Sequence, residues 1–310
     1  MLDLVVKSGE VPIAVRDYGG SGQAILLLHG AGGNLASWDV VGPLLAADHH
    51  AVAVDLRGHG ESGDGPWSWA AVIADLEAVV EELDLRQPAV VGHSLGGGLA
   101  ARWARQHPDC PAVVNLDGHR SPVTSPENLD AAAAGVPLEK LCEDMARLDA
   151  QFDAQMAAMA VPFSDEQVEA MLAARRAVAV QCGTDPDRWE VVARRGLARR
   201  DGATYLRPDL ATTQALRGSV QSDSLPVFAE VEVPVLLVVA TRSLPEVPPD
   251  LEPLMVAFRA GLRRDLAALV ATRPHVEVRE IDASHGVLFE KPQEVTEIIT
   301  GYLDLPSRAR

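Results

Sequence analysis

Cysteine is scarce in this chain. Only Cys110, Cys142 and Cys182 occur among 310 residues, and no two of them form a Cys-x-x-Cys pair. A disulfide framework and a cysteine zinc site are therefore excluded, and reduced, mostly buried thiols in a cytoplasmic protein are expected. Positive charge is also in deficit. The net charge of -17 argues against nucleic acid and anionic membrane surfaces as partners. No apolar stretch approaches membrane-spanning length without charges. The opening Met1-Leu2-Asp3-Leu4-Val5-Val6-Lys7 lacks the basic start, apolar run and small-residue cleavage site of a secretory leader. Hydrophobic residues, by contrast, make up 47% of the chain, enough to bury a substantial core.

Strand-like and helix-like patterns alternate. Leu2 to Lys7 and Val11 to Asp17 suggest an opening hairpin. Ala24 to Leu28, Ala51 to Val54, Pro88 to Val91 and Pro234 to Ala240 are continuous apolar runs, as expected of strands buried on both faces, and Ala112 to Leu116 reads as a further strand. Probable helix patterns lie between them, at Leu35 to Ala47 and around Val72, Leu76, Val79, Val80 and Leu83. The predicted fold class is α/β, with a mostly parallel sheet flanked by helices. From about Ser121 to Ser224 no strand signal is read. Leu138, Leu141, Met145, Leu148, Phe152, Met156 and Met159 step by three or four, and Asp165 to Cys182 and Asp185 to Arg200 read as further helices. The expected organisation is a core of residues 1–120 and 225–310, with residues 121–224 inserted as a helical cap. Val276 to Ile281 reads as the last strand, with His285 just beyond it.

One stretch carries the chemistry. Val90-Val91-Gly92-His93-Ser94-Leu95-Gly96 places a Gly-x-Ser-x-Gly turn between an apolar run and a helical pattern. The pentapeptide alone matches by chance in roughly one of ten chains this long, so its weight comes from that context. There the turn stands Ser94 clear of the sheet, where its hydroxyl can attack a carbonyl. The amide of Leu95 would point at the oxygen that becomes negative.

Together with His29-Gly30-Ala31-Gly32-Gly33, Asp55-Leu56-Arg57-Gly58-His59-Gly60-Glu61-Ser62 and Ser284-His285-Gly286 with Glu290-Lys291-Pro292 behind it, this stretch resembles the α/β-hydrolase superfamily over nearly the full length. The resemblance implies an α/β-hydrolase fold and a nucleophile at Ser94. It implies His285 as the base, with His119 as the second histidine to test. It also implies an oxyanion hole of the Ala31 and Leu95 amides. Asp55 to Ser62 reads as a structural loop, with Arg57 a buried hydrogen-bonding group. The acid departs from the common pattern, because Ser243 stands where the family usually carries it, after Val235 to Ala240. Some members carry the acid one core strand earlier, which here is Asp117; Glu246 and Asp250 in the proline-rich loop are the alternatives.

The expected activity is hydrolysis of an ester, lactone or thioester of a small apolar molecule through an acyl-enzyme. No metal or organic cofactor is implied. The partner is a small acyl substrate, and oligomeric state is not readable. The same fold performing C–C bond hydrolysis, acyl transfer, perhydrolysis or biosynthetic cyclisation stays open, as does a receptor-like binder with little turnover. Trp38, Trp67 and Trp69 are read in or near the loops over the sheet edge, where they either line an apolar acyl or aromatic site or simply cover the core. Arg194, Arg195, Arg199 and Arg200 form a basic cluster that is either a solvated helix end or a carboxylate-recognising group.

Overall fold

A computed structural model describes residues 1–159, 161–220 and 223–305. In chain order the strands are β1 (Leu2–Ser8), β2 (Val11–Gly19), β3 (Ala24–Leu28), β4 (His50–Val54), β5 (Ala89–His93), β6 (Val113–Leu116), β7 (Leu197–Arg200), β8 (Ala203–Leu206), β9 (Val235–Ala240) and β10 (Val276–Ile281). The α-helices are α1 (Val41–Leu45), α2 (Trp69–Glu82), α3 (Leu95–Gln106), α4 (Ala131–Ala134), α5 (Leu138–Met159), α6 (Asp165–Gln181), α7 (Pro186–Arg195), α8 (Leu210–Val220), α9 (Leu225–Glu230), α10 (Glu252–Thr272), α11 (Val287–Glu290) and α12 (Pro292–Leu303).

Among the described residues, eight strands form one sheet in the order β1-β2-β4-β3-β5-β6-β9-β10. The first two pairings are antiparallel and the rest are parallel. The continuous apolar runs are the central strands, and every residue of β3 and β9 is buried. Alternate side chains serve two layers. Leu26 and Leu28 pack with Val72, Leu76 and Leu99 on the side of α2 and α3. Ile25 and Leu27 pack with Trp38, Val41, Val295 and Ile299 on the side of α1 and α12.

The region between β6 and β9 carries α4 to α8. A smaller core of Leu129, Leu141, Met145, Leu254 and Ala257 seats α5 against α10. Phe152 of the same apolar stripe is 45% exposed, so the stripe is only partly core, and the side chain of Met159 lies outside the described residues.

Three expectations need correction. The insertion is not free of strands: β7 and β8 form an antiparallel hairpin, and α7 ends at Arg195. The missed signal is Asp201-Gly202, whose φ values of 50° and 79° are those of a tight two-residue hairpin turn. The predicted helix at Leu35 to Ala47 is a 3-10 turn, Leu35–Trp38, followed by the short α1. For the tryptophans the core-covering reading is the one observed. Trp38 is fully buried, and Trp67 and Trp69 pack on the α2–α3 layer with the Arg102 guanidinium 3.8 Å over the Trp69 ring. Of the three cysteines, all free thiols, only Cys110 is buried, and burial pushes its thiol up to about 12.

Among the described residues no helix is long and apolar enough to cross a membrane. Arg57 takes the buried role expected of it. Its guanidinium makes two 2.7 Å hydrogen bonds to the Asp75 carboxylate, which is 2% exposed. Arg57→Ala would strand that carboxylate in the core and should cost about 3–5 kcal/mol. Urea denaturation checks this; a loss under 1 kcal/mol would contradict the pairing.

Candidate active site

Three loops meet at the carboxyl ends of the central strands. Ser94 is the first residue after β5, Asp117 the first after β6, and His285 lies four residues after β10. The parallel ladder continues one step beyond the strands and fixes the first two. Ser94 N–H donates to the Leu116 carbonyl at 3.0 Å, and Asp117 N–H donates to the Val238 carbonyl at 2.8 Å. Ser94 sits at φ 54° and ψ -119°, a conformation L-residues rarely adopt. Glycine makes that bend possible. A Cβ on Gly92 would overlap the Gly96 carbonyl, and one on Gly96 would overlap the Leu28 carbonyl. Gly30 gives the β3 loop its close approach, since a Cβ there would stand 2.9 Å from the Ser94 Cβ and 3.5 Å from its Oγ.

Asp117 meets His285. His285 Nδ1–H donates to Asp117 Oδ2 at 2.7 Å, and the Ala240 N–H donates to Asp117 Oδ1 at 3.0 Å. The carboxylate only accepts, so the ring carries its proton on Nδ1 and leaves Nε2 as a base. Burial opposes ionisation of Asp117, but the hydrogen bond and charge of His285, with the Ala240 amide, hold it below the usual carboxylate range. Burial likewise opposes a charged His285 ring; Asp117 outweighs it and raises the ring above its ordinary 6.5. The Asp117 contribution to stability is lost as pH falls through its lowered pKa, and the His285 contribution as pH rises through its raised one. The pair is strongest between the ordinary values of 3.8 and 6.5.

Among the described residues no hydrogen bond joins the Ser94 hydroxyl to His285. Such contacts are often long before substrate tightens them. The two are tied through His93, whose Nε2–H donates to the His285 carbonyl at 2.8 Å with the rings 4.8 Å apart. Burial, with His285 adding repulsion, holds the His93 ring down at about 3, so it stays neutral.

The His285 loop has a second anchor. Glu290 Oε2 accepts from the Ser284 N–H at 3.2 Å, and its Oε1 accepts a short hydrogen bond from the Ser284 hydroxyl. Ser284 Oγ in turn accepts from the Gly286 N–H at 3.2 Å, and Arg242 neutralises Glu290 at 2.9 Å. Glu290 was legible only as part of a family motif. Its role depends on α11 folding the chain back over Ser284, which spacing alone does not reveal.

The other candidates lie elsewhere. Glu246 pairs with Arg175 and Asp250 with Arg147, so neither meets His285. Ser243 holds Glu252 and Arg259, at 2.8 and 2.7 Å. His119 is buried, with its ring nitrogens engaged by Asn115 and the Val238 carbonyl. His29 donates from Nδ1 to the Gly30 carbonyl and accepts the Leu56 N–H on Nε2, which braces the loop bearing Ala31. Among the described residues the Ala31 and Leu95 amides have no acceptor.

The arginine cluster reads carboxylates, but they are this chain's own. Arg195 bonds the buried Asp55 at 2.8 Å and Glu61 at 3.1 Å, Arg194 bonds Glu190, and Arg200 bonds Asp64. Helix α7 also caps two site loops. Asn34 Nδ2–H donates to the Val192 carbonyl at 2.8 Å, and the Trp189 ring lies 4.8 Å from that of Phe289, beside Gly286. Among the described residues no group of three or more His, Cys, Asp or Glu side chains could hold a metal ion.

The model of the alpha/beta hydrolase fold family matches residues 23–243. An esterase of Mycobacterium tuberculosis (strain ATCC 25618 / H37Rv) is 40% identical over 100 residues, 31% of this chain and 33% of that protein. A fluoroacetate dehalogenase of Burkholderia sp is 40% identical over 105 residues, 32% of this chain and 34% of that protein. The matched stretch thus spans about a third of these curated relatives. The crystal structure of E-2-(acetamidomethylene)succinate hydrolase superposes with a TM-score of 0.70 at 26% identity, covering 98% of this chain and 99% of that one.

Replacing Asp117 with Asn keeps the shape but removes the charge that favours imidazolium. The His285 titration, followed by NMR of the ring protons, should move to lower pH by a unit or more, on the order expected for losing a close ion pair. An unchanged midpoint would contradict the pairing.

Proposed function

The chain belongs to the alpha/beta hydrolase fold family, and we propose that it is a serine hydrolase cleaving an ester, lactone or thioester of a small apolar molecule. The observation that supports this reading most is the 2.7 Å hydrogen bond from His285 to Asp117, which leaves Nε2 as the base beside a serine on a strained turn. In the proposed reaction His285 Nε2 takes the Ser94 proton as Oγ attacks the carbonyl carbon. The amides of Ala31 and Leu95 donate to the oxyanion, each worth about 3 kcal/mol of transition-state stabilisation. Collapse expels the alcohol or thiol, which takes the proton from His285. Water, deprotonated by His285, then attacks the acyl-enzyme, and Ser94 is released with its proton restored. Serine at the elbow argues against an aspartate-nucleophile reaction of the dehalogenase kind.

Residues 121–224 form the proposed cap over a core of 1–120 and 225–310. The contacts of α7 with the loops of Asn34, Asp55 and Gly286 support that reading. The structural relative named for hydrolysis of an acetamidomethylene succinate makes an amide-type acyl donor the second class to test.

A fluorophosphonate probe and a panel of acyl donors test the proposal. Wild-type protein should label at Ser94 and turn over esters, and Ser94→Ala should do neither. Asp117→Asn should lose orders of magnitude in turnover, as removal of the orienting acid does elsewhere, whereas Glu246→Gln should retain it. The rate should rise with pH through the raised His285 pKa, since only the neutral ring is a base. Folded protein that resists the probe would favour a binding role instead.

A further inference from the structure

Among the described residues the sheet begins on an open edge, β1. In the β1–β2 hairpin the two-residue turn Gly9-Glu10 makes Ser8 and Val11 a hydrogen-bonded pair, and such pairs then alternate along the strands. The far side of β2 gives the same parity. Ala14 sends its carbonyl to the Asp55 N–H at 2.9 Å and its N–H to Ser62 Oγ at 2.8 Å, while the Pro12 carbonyl accepts from the Gly63 N–H at 2.6 Å. Pro12, Ala14 and Arg16 therefore turn their backbone away from β1. Their register partners are Lys7, Val5 and Asp3. The N–H and C=O groups of Asp3, Val5 and Lys7 consequently point out of the sheet.

Natural edges are commonly blunted by a proline, a bulge, a very short strand or charged side chains. Of these β1 has only the charges, Asp3 and Lys7, and they are of opposite sign. Its seven residues contain no proline or glycine, and its register with β2 is unbroken from Leu2 to Ser8. Val5 is 63% exposed. The period of two puts the side chains of Asp3, Val5 and Lys7 on one face.

We propose that β1 docks onto β1 of a second copy of this chain, antiparallel and centred on Val5. This register is the one that uses all three outward-facing residues. Val5 meets Val5, and Asp3 of each copy meets Lys7 of the other. Each such pair exchanges two backbone hydrogen bonds. The carboxylates and ammonium groups fall directly opposite each other on one face, with the valine pair between them. Within each copy Arg16 on β2 also bonds both Asp3 oxygens at 2.7 Å, so the Lys7 of the second copy would add to a pair already formed. The arrangement is two-fold and closes on itself, whereas a parallel pairing would not close. Two copies at -17 each repel through solution, so association is favoured where salt screens distant charge, with a Debye length of about 8 Å at physiological strength. Ser94 follows β5, four strands in from this edge, so the proposal is independent of the chemistry assigned to it.

Sedimentation velocity on the full chain over a range of concentrations, at physiological salt, tests the proposal. Wild type should populate a dimer. Val5→Pro removes an outward N–H but no hydrogen bond within the chain, so it should be monomeric with an unchanged circular dichroism spectrum and melting point. Lys7→Glu should weaken the dimer by about tenfold or more, from two attractive pairs made repulsive. Wild type that stays monomeric overturns the proposal. So does a dimer equally strong in Val5→Pro and Lys7→Glu, since it would lie on another surface.

Discussion

The hydrogen bond between Asp117 and His285 is the interaction on which the site depends. It spans 168 residues of chain and is made possible by the sheet order, which sets β6 beside β9 and β9 beside β10. It selects one tautomer of the ring, aims the free nitrogen and raises the ring pKa. It persists because its surroundings allow no slack. The Ala240 amide holds the other Asp117 oxygen, and the backbone around His285 is held at residues 284, 285 and 286 by Glu290, His93 and Ser284. A histidine on a loop is thereby given the positional definition of a residue in the sheet.

The same economy runs through the other loops. Most of the buried polar side chains near the site hold backbone rather than one another. His29 spans the Gly30 carbonyl and the Leu56 amide, and Asp55 receives the Leu35 and Glu61 amides. Neutral, buried histidines do this well, because a single ring can donate and accept at once. His29 and His93 are held at about 4 and about 3 by burial, so both stay neutral near neutral pH. Helix α7 also reaches the Asn34, Asp55 and Gly286 loops.

Much of this was legible from residues alone. The buried strands were readable because doubly covered strands leave no room for polar alternation, as β3 and β9 show. Asp117 was readable as one of three candidate acids, favoured because the family resemblance allows the acid one core strand early and because one helix and one strand after Ser94 return the chain to the same sheet edge. What escaped was set by tertiary context. Arg195 and Arg200 look like part of a solvated surface until the facing carboxylates Asp55, Glu61 and Asp64 are known, and those come from a loop more than a hundred residues earlier. The β7–β8 hairpin was hidden by its polar strands, only half-buried, although Asp201-Gly202 marked the turn.

The central proposal is that Ser94 becomes acylated. Rapid quench of the protein with an activated ester, followed by intact-protein and peptide mass spectrometry, tests it most directly. The account predicts one acyl group, on the peptide containing Ser94, accumulating before steady state and absent from Ser94→Ala. Ester turnover by Ser94→Ala at the wild-type rate, or an acyl group on another residue, would contradict it.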